Sequence, residues 1–329
     1  MEYARLGRTD VQISRLIFGC GMIGGIMVNA EPSTMRAVVK GALDAGINWF
    51  DTAALYGAGK SEENLGEVLR ELDAAPGIST KFRVKAEDGD VAGQVERACL
   101  QSLARLGMER VDLLQLHNNI LAEPSDKGVT PDQILGPGGV VEGLKRLQDK
   151  GLIKWLGITA IGDAGACAEV IGSGAIDTAQ VYYNMINPSS GFSADKADAP
   201  LVGGGHNFSG ILDACAAGDV GVIAIRTLAA GALASDSYEG RGVITRDSEP
   251  DDERAKAKAV FDLLGDTHGT AAQTALRFAL AHPAIAGIDF AVAEIWQMTE
   301  GLKSIELGPL PNEAQAAVLE FYESNFGSG

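Results

Sequence analysis

The sequence predicts an α/β fold, a closed (β/α)8 TIM barrel with an N-terminal β-hairpin and a C-terminal extra helix, in one domain over residues 1–329. Three observations carry this. Apolar runs of strand length alternate with segments of helical period, the pattern of a parallel sheet covered by helices. Eight such units fit in 329 residues, which suits a barrel closed on itself better than an open sheet. Successive strand ends also carry ionisable side chains, and a barrel gathers those ends on one catalytic rim.

The elements follow in order. A hairpin turns around Gly7-Arg8-Thr9-Asp10, and Arg15 to Phe18 is the first barrel strand. From Thr34, a helical stripe carries Met35, Val38, Val39, Ala42 and Leu43, with Ser33 as its N-cap and Gly46 past its end. The strand Ile47 to Phe50 precedes a helix after Ser61 with Leu65, Val68, Leu69 and Leu72 on its face. Ile78 to Lys81 is the third strand; Val95, Cys99, Leu103 and Leu106 mark the next helix, and Val111 to His117 the fourth strand. Strands near Ile153 to Ile158, Thr178 to Tyr182, Val220 to Ile225 and Ile285 to Phe290 complete the count. A closing helix runs from about Asn312 to Tyr322. Three long connections, Asn118 to Gly139, Met185 to Gly205 and Ala229 to Glu253, each follow a strand and are expected as walls or lids on the catalytic face.

A net charge of −17 argues against nucleic acid or an anionic membrane as partner, since both need a basic footprint. Cys20, Cys99, Cys167 and Cys215 stand far apart with no C-x-x-C pair, so reduced thiols in a cytoplasmic protein are expected and no metal site. The start lacks a basic region followed by an apolar run, and no stretch has the length to span a bilayer. Gly19-Cys20-Gly21-Met22-Ile23-Gly24 is a literal G-x-G-x-x-G after a strand. As a dinucleotide fingerprint it needs a helix opening at the glycines, whereas the helix is expected near Ser33; chance occurrence is common in a chain with 42 glycines.

The chemistry centres on Phe50-Asp51-Thr52-Ala53-Ala54-Leu55-Tyr56-Gly57, where an apolar strand ends in a carboxylate and a tyrosine follows five residues later. Tyrosine titrates near 10 and exchanges protons poorly at neutral pH unless a nearby cation favours its phenolate. Lys81, at the next strand end, is that cation, with Lys85 an alternative on spacing alone. A lysine in a partly desolvated mouth needs a counter-charge, which Asp51 can supply. His117, one strand further on, can orient a substrate oxygen. The set suits proton transfer at an oxygen while hydride moves to or from carbon. Each residue also has an ordinary structural use as cap, packed ring, solvated strand end or core imidazole. Their coincidence on successive strand ends favours the joint reading.

Asp51-Thr52-Ala53 with Tyr56-Gly57, Ser79-Thr80-Lys81 and Asp112-Leu113-Leu114-Gln115-Leu116-His117 together resemble the aldo-keto reductase superfamily, over nearly the whole chain. The resemblance implies a catalytic tetrad: Tyr56 as general acid or base, Lys81 lowering its pKa, Asp51 paired with Lys81, and His117 orienting the carbonyl or hydroxyl. It also implies a nicotinamide cofactor, contacted by Gly19 and Asp51 in the core of the site and by Thr159 and Gln180 at the carboxamide. Where the family shows a Ser-Asn pair, this chain reads Thr159-Ala160; where it shows an aromatic stacked on the nicotinamide, it reads Ile225-Arg226. Backbone from Leu228 to Gly231 is expected at the pyrophosphate, and Ala293, Glu294, Gln297 and Glu300 at the adenosine. Of NAD and NADP, Glu294 favours NAD, because an acid suits unphosphorylated ribose hydroxyls. Met22, Tyr56, His117 and Asn118 are the expected substrate contacts, with Ile23, Asn119 and the long loops as further pocket candidates. The implied activity is reversible oxidation and reduction of an aldehyde, ketone or aldose, aldose oxidation to a lactone included, in a monomer or small homo-oligomer. Two alternatives stand beside it: a nucleotide-sensing, non-catalytic subunit of the same family, and, more distantly, a barrel lyase using Lys81 as a Schiff base.

Overall fold

The structure, a computed structural model, describes residues 1–196, 205–235 and 249–327. Eight parallel strands close into a barrel: β1 (Leu16–Gly19), β2 (Trp49–Asp51), β3 (Gly77–Phe82), β4 (Val111–Leu116), β5 (Ile153–Ala160), β6 (Thr178–Tyr182), β7 (Gly221–Ile225) and β8 (Ile285–Ala291). Each pairs with its neighbours in chain order, and β8 pairs with β1 through Ile288 and Leu16. This is the architecture expected from the alternating apolar and helical periods.

Helices cover the outside because their apolar stripes match the outward faces of the strands. Met35, Val38, Val39 and Ala42 are buried on the helix Pro32–Asp44, as their spacing requires. That helix starts earlier than expected: Glu31 holds the cap position, Pro32 the first turn, and Ser33 lies inside. Proline fits there because its φ is already helical and its missing N–H has no intrahelical partner to lose. A one-turn helix, Ile26–Asn29, precedes it; four residues are too few to show a periodic stripe. The glycine run Gly19–Gly24 thus leaves a barrel strand and does not serve a doubly wound sheet. A Cβ at Gly24 would lie 2.5 Å from the Val292 backbone, so the run also lets the chain pass close to the end of β8.

The hairpin strands Tyr3–Arg5 and Gln12–Ser14 pair antiparallel and close the N-terminal end of the barrel. Leu6 and Ile13 join Ile17, Trp49, Leu113, Ile223 and Ala286 in an apolar plug. Arg5 reaches Asp219 with two hydrogen bonds of 2.8 and 2.7 Å, tying the hairpin to the turn before β7. With this end filled by side chains, the opposite end is the one open for chemistry. The closing helix is Asn312–Glu323.

The long connections have structure of their own. Asn118 to Gly139 holds a short parallel pair, Asn119–Ile120 with Gly128–Val129, and the helix Pro131–Leu135. Parts of the other two, residues 197–204 and 236–248, lie outside the described residues.

Because Leu6 is wholly buried in the plug, Leu6→Ala should lower unfolding free energy by about 2–5 kcal/mol. Chemical denaturation followed by far-UV circular dichroism checks this, and a loss below about 0.5 kcal/mol would mean that the hairpin does not brace the barrel.

Candidate active site

Strand register brings the ionisable strand ends to one level. Asp51 pairs with Gly19 on one side and Ser79 on the other, and Lys81 pairs with Gln115. Asp51 and Lys81 are both essentially inaccessible to solvent and form an ion pair. Two buried charges persist only when further hydrogen bonds complete their shells. Asp51 Oδ1 accepts from Ser79 Oγ at 2.6 Å, Gln180 Nε2 at 2.9 Å and Gln115 Nε2 at 3.2 Å. Lys81 Nζ donates to Asp51 Oδ2, to Thr52 O at 2.8 Å and to Tyr56 Oη at 3.2 Å. All three ammonium protons are therefore used, one of them on the tyrosine.

The loop that carries Tyr56 is anchored by short-range bonds. Tyr56 N–H donates to Ala53 O at 3.0 Å, Ser61 Oγ donates to Cys20 O at 3.0 Å, and Thr52 Oγ1 lies 2.9 Å from Ser61 Oγ. The next three residues, Gly57, Ala58 and Gly59, all have positive φ, at 59°, 55° and 96°. Two glycines keep this left-handed passage inexpensive. On the outer side, buried Glu62 accepts from Thr80 Oγ1 and Arg105 Nε, both at 2.6 Å, pinning the following helix to β3. His117 closes the other flank, its ring edge-on to Tyr56 with centroids 6.0 Å apart.

Burial dominates the protonation states. It pushes the His117 pKa down to about 3, helped by the positive charges of Lys81, Arg83 and Arg226, so the imidazole is neutral. Burial would lower the Lys81 pKa, but the charges of Asp51, Tyr56 and Asp289 outweigh it and hold the ammonium protonated. Tyr56 differs from expectation. Burial raises its pKa, Lys81 opposes, and the negative charges of Asp51 and Asp289 reinforce the rise. Lys81 thus restrains the phenol's pKa without bringing it below the ordinary value.

Tyr56 and His117 lie in the wall of a cleft of about 920 Å3, at the large end of small-molecule sites. Of the other expected positions, Met22, Thr159, Gln180, Ile225, Arg226, Leu228, Gly231, Ala293, Gln297 and Glu300 also line it. Asp51 and Lys81 sit beneath the floor. Gly19 lies beneath it too, where a Cβ would approach Asp289 Oδ1 to 2.3 Å. Asn118 stays out of the cleft, its amide bonded to Val84 N–H and Val84 O at 2.9 and 2.8 Å; Asn119 lines it instead. Glu294 is also outside, at the head of the helix Ile295–Leu307, where Gln297 Oε1 accepts from the N–H groups of Ala293 and Glu294 at 2.7 and 3.1 Å. The acid in the wall at this end is Glu300, which accepts from Thr270 Oγ1 at 2.6 Å. Lys85 is absent from the wall, and its backbone is engaged by Gln94.

Several wall residues were not anticipated. Asp289, Arg83 and Trp296 line the cleft, and Gln115 supports Asp51 from below. Asp289 alone had a visible signal: it shares period-two parity with Gly287 and Ala291, a carboxylate on the inward side of an apolar strand, whereas an irregularity after Ile285 breaks the alternation there. His117 Nδ1, Thr159 Oγ1 and Asp289 Oδ1 are buried polar atoms without a hydrogen-bond partner, all on residues facing the cleft. Such atoms mark the places where a ligand completes the bonding. No group of His, Cys, Asp and Glu fit to hold a metal occurs among the described residues, and none of the described helices is long and apolar enough to cross a membrane. The four cysteines are free and buried.

The sequence profile of the aldo/keto reductase family matches residues 15–323. The chain is 24% identical over 328 residues to the uncharacterized oxidoreductase YqkF of Bacillus subtilis, covering 95% of this chain and 94% of that one. It is 23% identical over 325 residues to a probable voltage-gated potassium channel subunit beta of Arabidopsis thaliana, covering 94% and 93%. In fold it is similar to an aldo-keto reductase of Bacillus halodurans in its holo form, with a TM-score of 0.74 at 22% identity over 97% of this chain and 96% of the other.

A histidine kept neutral in the folded state is protonated more readily when unfolded. Its contribution to stability is therefore full above the unfolded value near 6.5 and is lost as pH falls from there toward the folded value of about 3. Denaturation of wild type and His117→Gln at pH 4, 5 and 7 should show wild type losing more stability on acidification. Parallel losses would mean that the imidazole is not buried neutral.

Proposed function

The chain belongs to the aldo/keto reductase family, and from that premise we propose that it is an NAD(P)-dependent oxidoreductase interconverting a carbonyl with an alcohol or lactone. The substrates are aldehydes, ketones or aldoses. The observation that carries this reading is the Lys81 ammonium 3.2 Å from Tyr56 Oη, above a fully bonded Asp51 and at the floor of the cleft.

A nicotinamide dinucleotide supplies or accepts the hydride in such chemistry. The residues present fit one. Thr159, whose Oγ1 lacks a partner, and Gln180 suit the carboxamide. Ile225 offers an apolar surface where an aromatic would stack. Arg226 suits the diphosphate, beside the tight turn from Leu228 to Gly231, in which Ala229 and Gly231 donate their N–H groups to Arg226 O and Leu228 O at 2.9 and 2.8 Å. At the adenosine end, Ala293, Gln297 and Glu300 are in the wall, Glu294 stands just behind, and Trp296 is 61% exposed. No lysine or arginine is among the described wall residues there, and Glu300 suits ribose hydroxyls, so NAD is favoured over NADP.

In reduction, Tyr56 gives its proton to the carbonyl oxygen as the carbon receives hydride; in oxidation it takes the proton back. Its raised pKa keeps the proton on the phenol at neutral pH, ready for donation. The Lys81 hydrogen bond stabilises the phenolate that donation leaves, and Asp51 keeps the lysine charged. His117, neutral, donates a ring N–H to the same oxygen. Met22, Leu55 and Asn119 form the outer wall against which the rest of the substrate packs. Four free, buried thiols suit a reducing cytoplasm.

Turnover separates this reading from a nucleotide-sensing subunit, which the likeness to a channel subunit keeps in view. Tyr56→Phe should lower kcat by about 10²- to 10⁴-fold on aldehydes and aldoses while leaving NADH binding unchanged by fluorescence titration. Full activity in that variant would remove Tyr56 from the role. Nucleotide binding without turnover of any substrate in a broad panel would favour the sensor. NADPH bound tenfold more tightly than NADH, roughly 1.4 kcal/mol, would reverse the NAD preference.

A further inference from the structure

β8 brings a second carboxylate to the floor of the cleft. Asp289 stands half-buried at the inward face of the barrel beside Asp51, open on one side to the cleft, and its Oδ1 is buried without a hydrogen-bond partner. Space for it exists because residue 19 is glycine; any Cβ there would meet Oδ1 at 2.3 Å. The groups facing it are Cys20 after β1, Asp51 at the end of β2, Tyr56 on the loop beyond, Lys81 on β3 and Arg226 after β7. His117, at the end of β4, is the remaining titratable group on the floor.

The charges balance in number but are not all paired. Lys81 is matched by Asp51 and spends its other protons on Thr52 O and Tyr56 Oη. Arg226 forms no ion pair with a described residue and stands in the wall. Asp289 is thus an acid without an ion-pair partner among the described residues. Burial, followed by the charge of Asp51, pushes its pKa up to about 8, with Lys81 and Arg226 offsetting part of the rise. Near neutral pH the carboxyl is mostly protonated, and a modest added positive charge is enough to release the proton.

A ring that exchanges hydride with a carbon whose oxygen is held by Tyr56 must lie over this same floor. The oxidised nicotinamide ring is cationic and the reduced ring is neutral. We propose that Asp289 makes this site discriminate the two: its carboxylate forms against the cationic ring, stabilising bound NAD+ over NADH. On NAD+ binding the Asp289 proton leaves to solvent; on NADH binding it stays. The protein then binds the oxidised cofactor more tightly as pH rises, which biases the site toward alcohol oxidation in alkaline conditions. This rests on the nicotinamide reading of the cleft.

Titration calorimetry on the intact protein at pH 7, in two buffers of different ionisation enthalpy, tests it without turnover. NAD+ should release a substantial fraction of one proton and NADH close to none. If the ring lowers the Asp289 pKa by one unit, NAD+ affinity should rise by about tenfold from pH 6 to pH 9 with NADH affinity flat. Asp289→Asn should abolish the proton release and flatten the NAD+ profile, while Tyr56→Phe should retain both, which assigns the proton to the carboxyl. Equal proton counts for the two nucleotides in wild type would overturn the proposal, and that measurement needs no variant to fold. Release that survives Asp289→Asn would overturn it as well. Failure of both nucleotides to bind would overturn the cofactor reading itself.

Discussion

The buried Asp51–Lys81 ion pair is the constraint on which the site depends. Two full charges removed from water are tolerable only when every remaining donor and acceptor is used. Here that condition recruits four strands: Ser79 from β3, Gln115 from β4 and Gln180 from β6 all donate to Asp51 on β2. The last ammonium proton is left to the Tyr56 hydroxyl. The same bonds that make the pair affordable therefore aim the phenol into the cleft. The left-handed turn at Gly57–Gly59 and the Thr52–Ser61–Cys20 contacts hold the loop from outside.

Placing this pair at the closed-in floor sets the electrostatics around it. Proximity to a lysine would by itself lower a tyrosine pKa, yet burial and two nearby carboxylates win, and the phenol keeps its proton. The same burial, with cations on several sides, keeps His117 neutral. A protonated phenol beside a neutral imidazole gives the cleft two neutral hydrogen-bonding groups side by side. Asp289 adds an acid whose charge at neutral pH is mostly suppressed by its burial and by Asp51.

Outside the floor, the chain departs from the pattern its family resemblance implies, and the departures are coherent. Ala160 and Ile225 remove an amide and an aromatic ring, while Thr159, Gln180 and Arg226 remain in the wall. Gln180 is shared between the cleft and Asp51, linking the cleft wall to the ion pair. At the far end, Gln297 caps its own helix, and Glu300 is braced by Thr270. Polar groups held this way present their free atoms with little loss of freedom on ligand binding.

Sequence alone determined the barrel and its eight strands, and it placed Asp51, Tyr56, Lys81 and His117 at one rim, because period and strand-end position are local properties that a closed parallel sheet converts directly into geometry. Thr178–Tyr182 was legible to the residue, while the first long helix began three residues before its apolar stripe, since Pro32 starts a turn without joining the stripe. Only tertiary structure decided which side chains face the cleft. Asn118 and Asn119 are adjacent and both polar, yet one is consumed by Val84 and the other lines the wall. Glu294 and Glu300 are both acids on one helical segment, and only the second points into the site. Asp289 reads as one polar residue in an apolar strand; its buried, unpaired Oδ1 and its closeness to Asp51 exist only once β8 closes against β1. Burial and hydrogen-bond satisfaction are sums over distant residues, and those sums set protonation, so which residue types gather at the floor was legible in the sequence and their charge states were not.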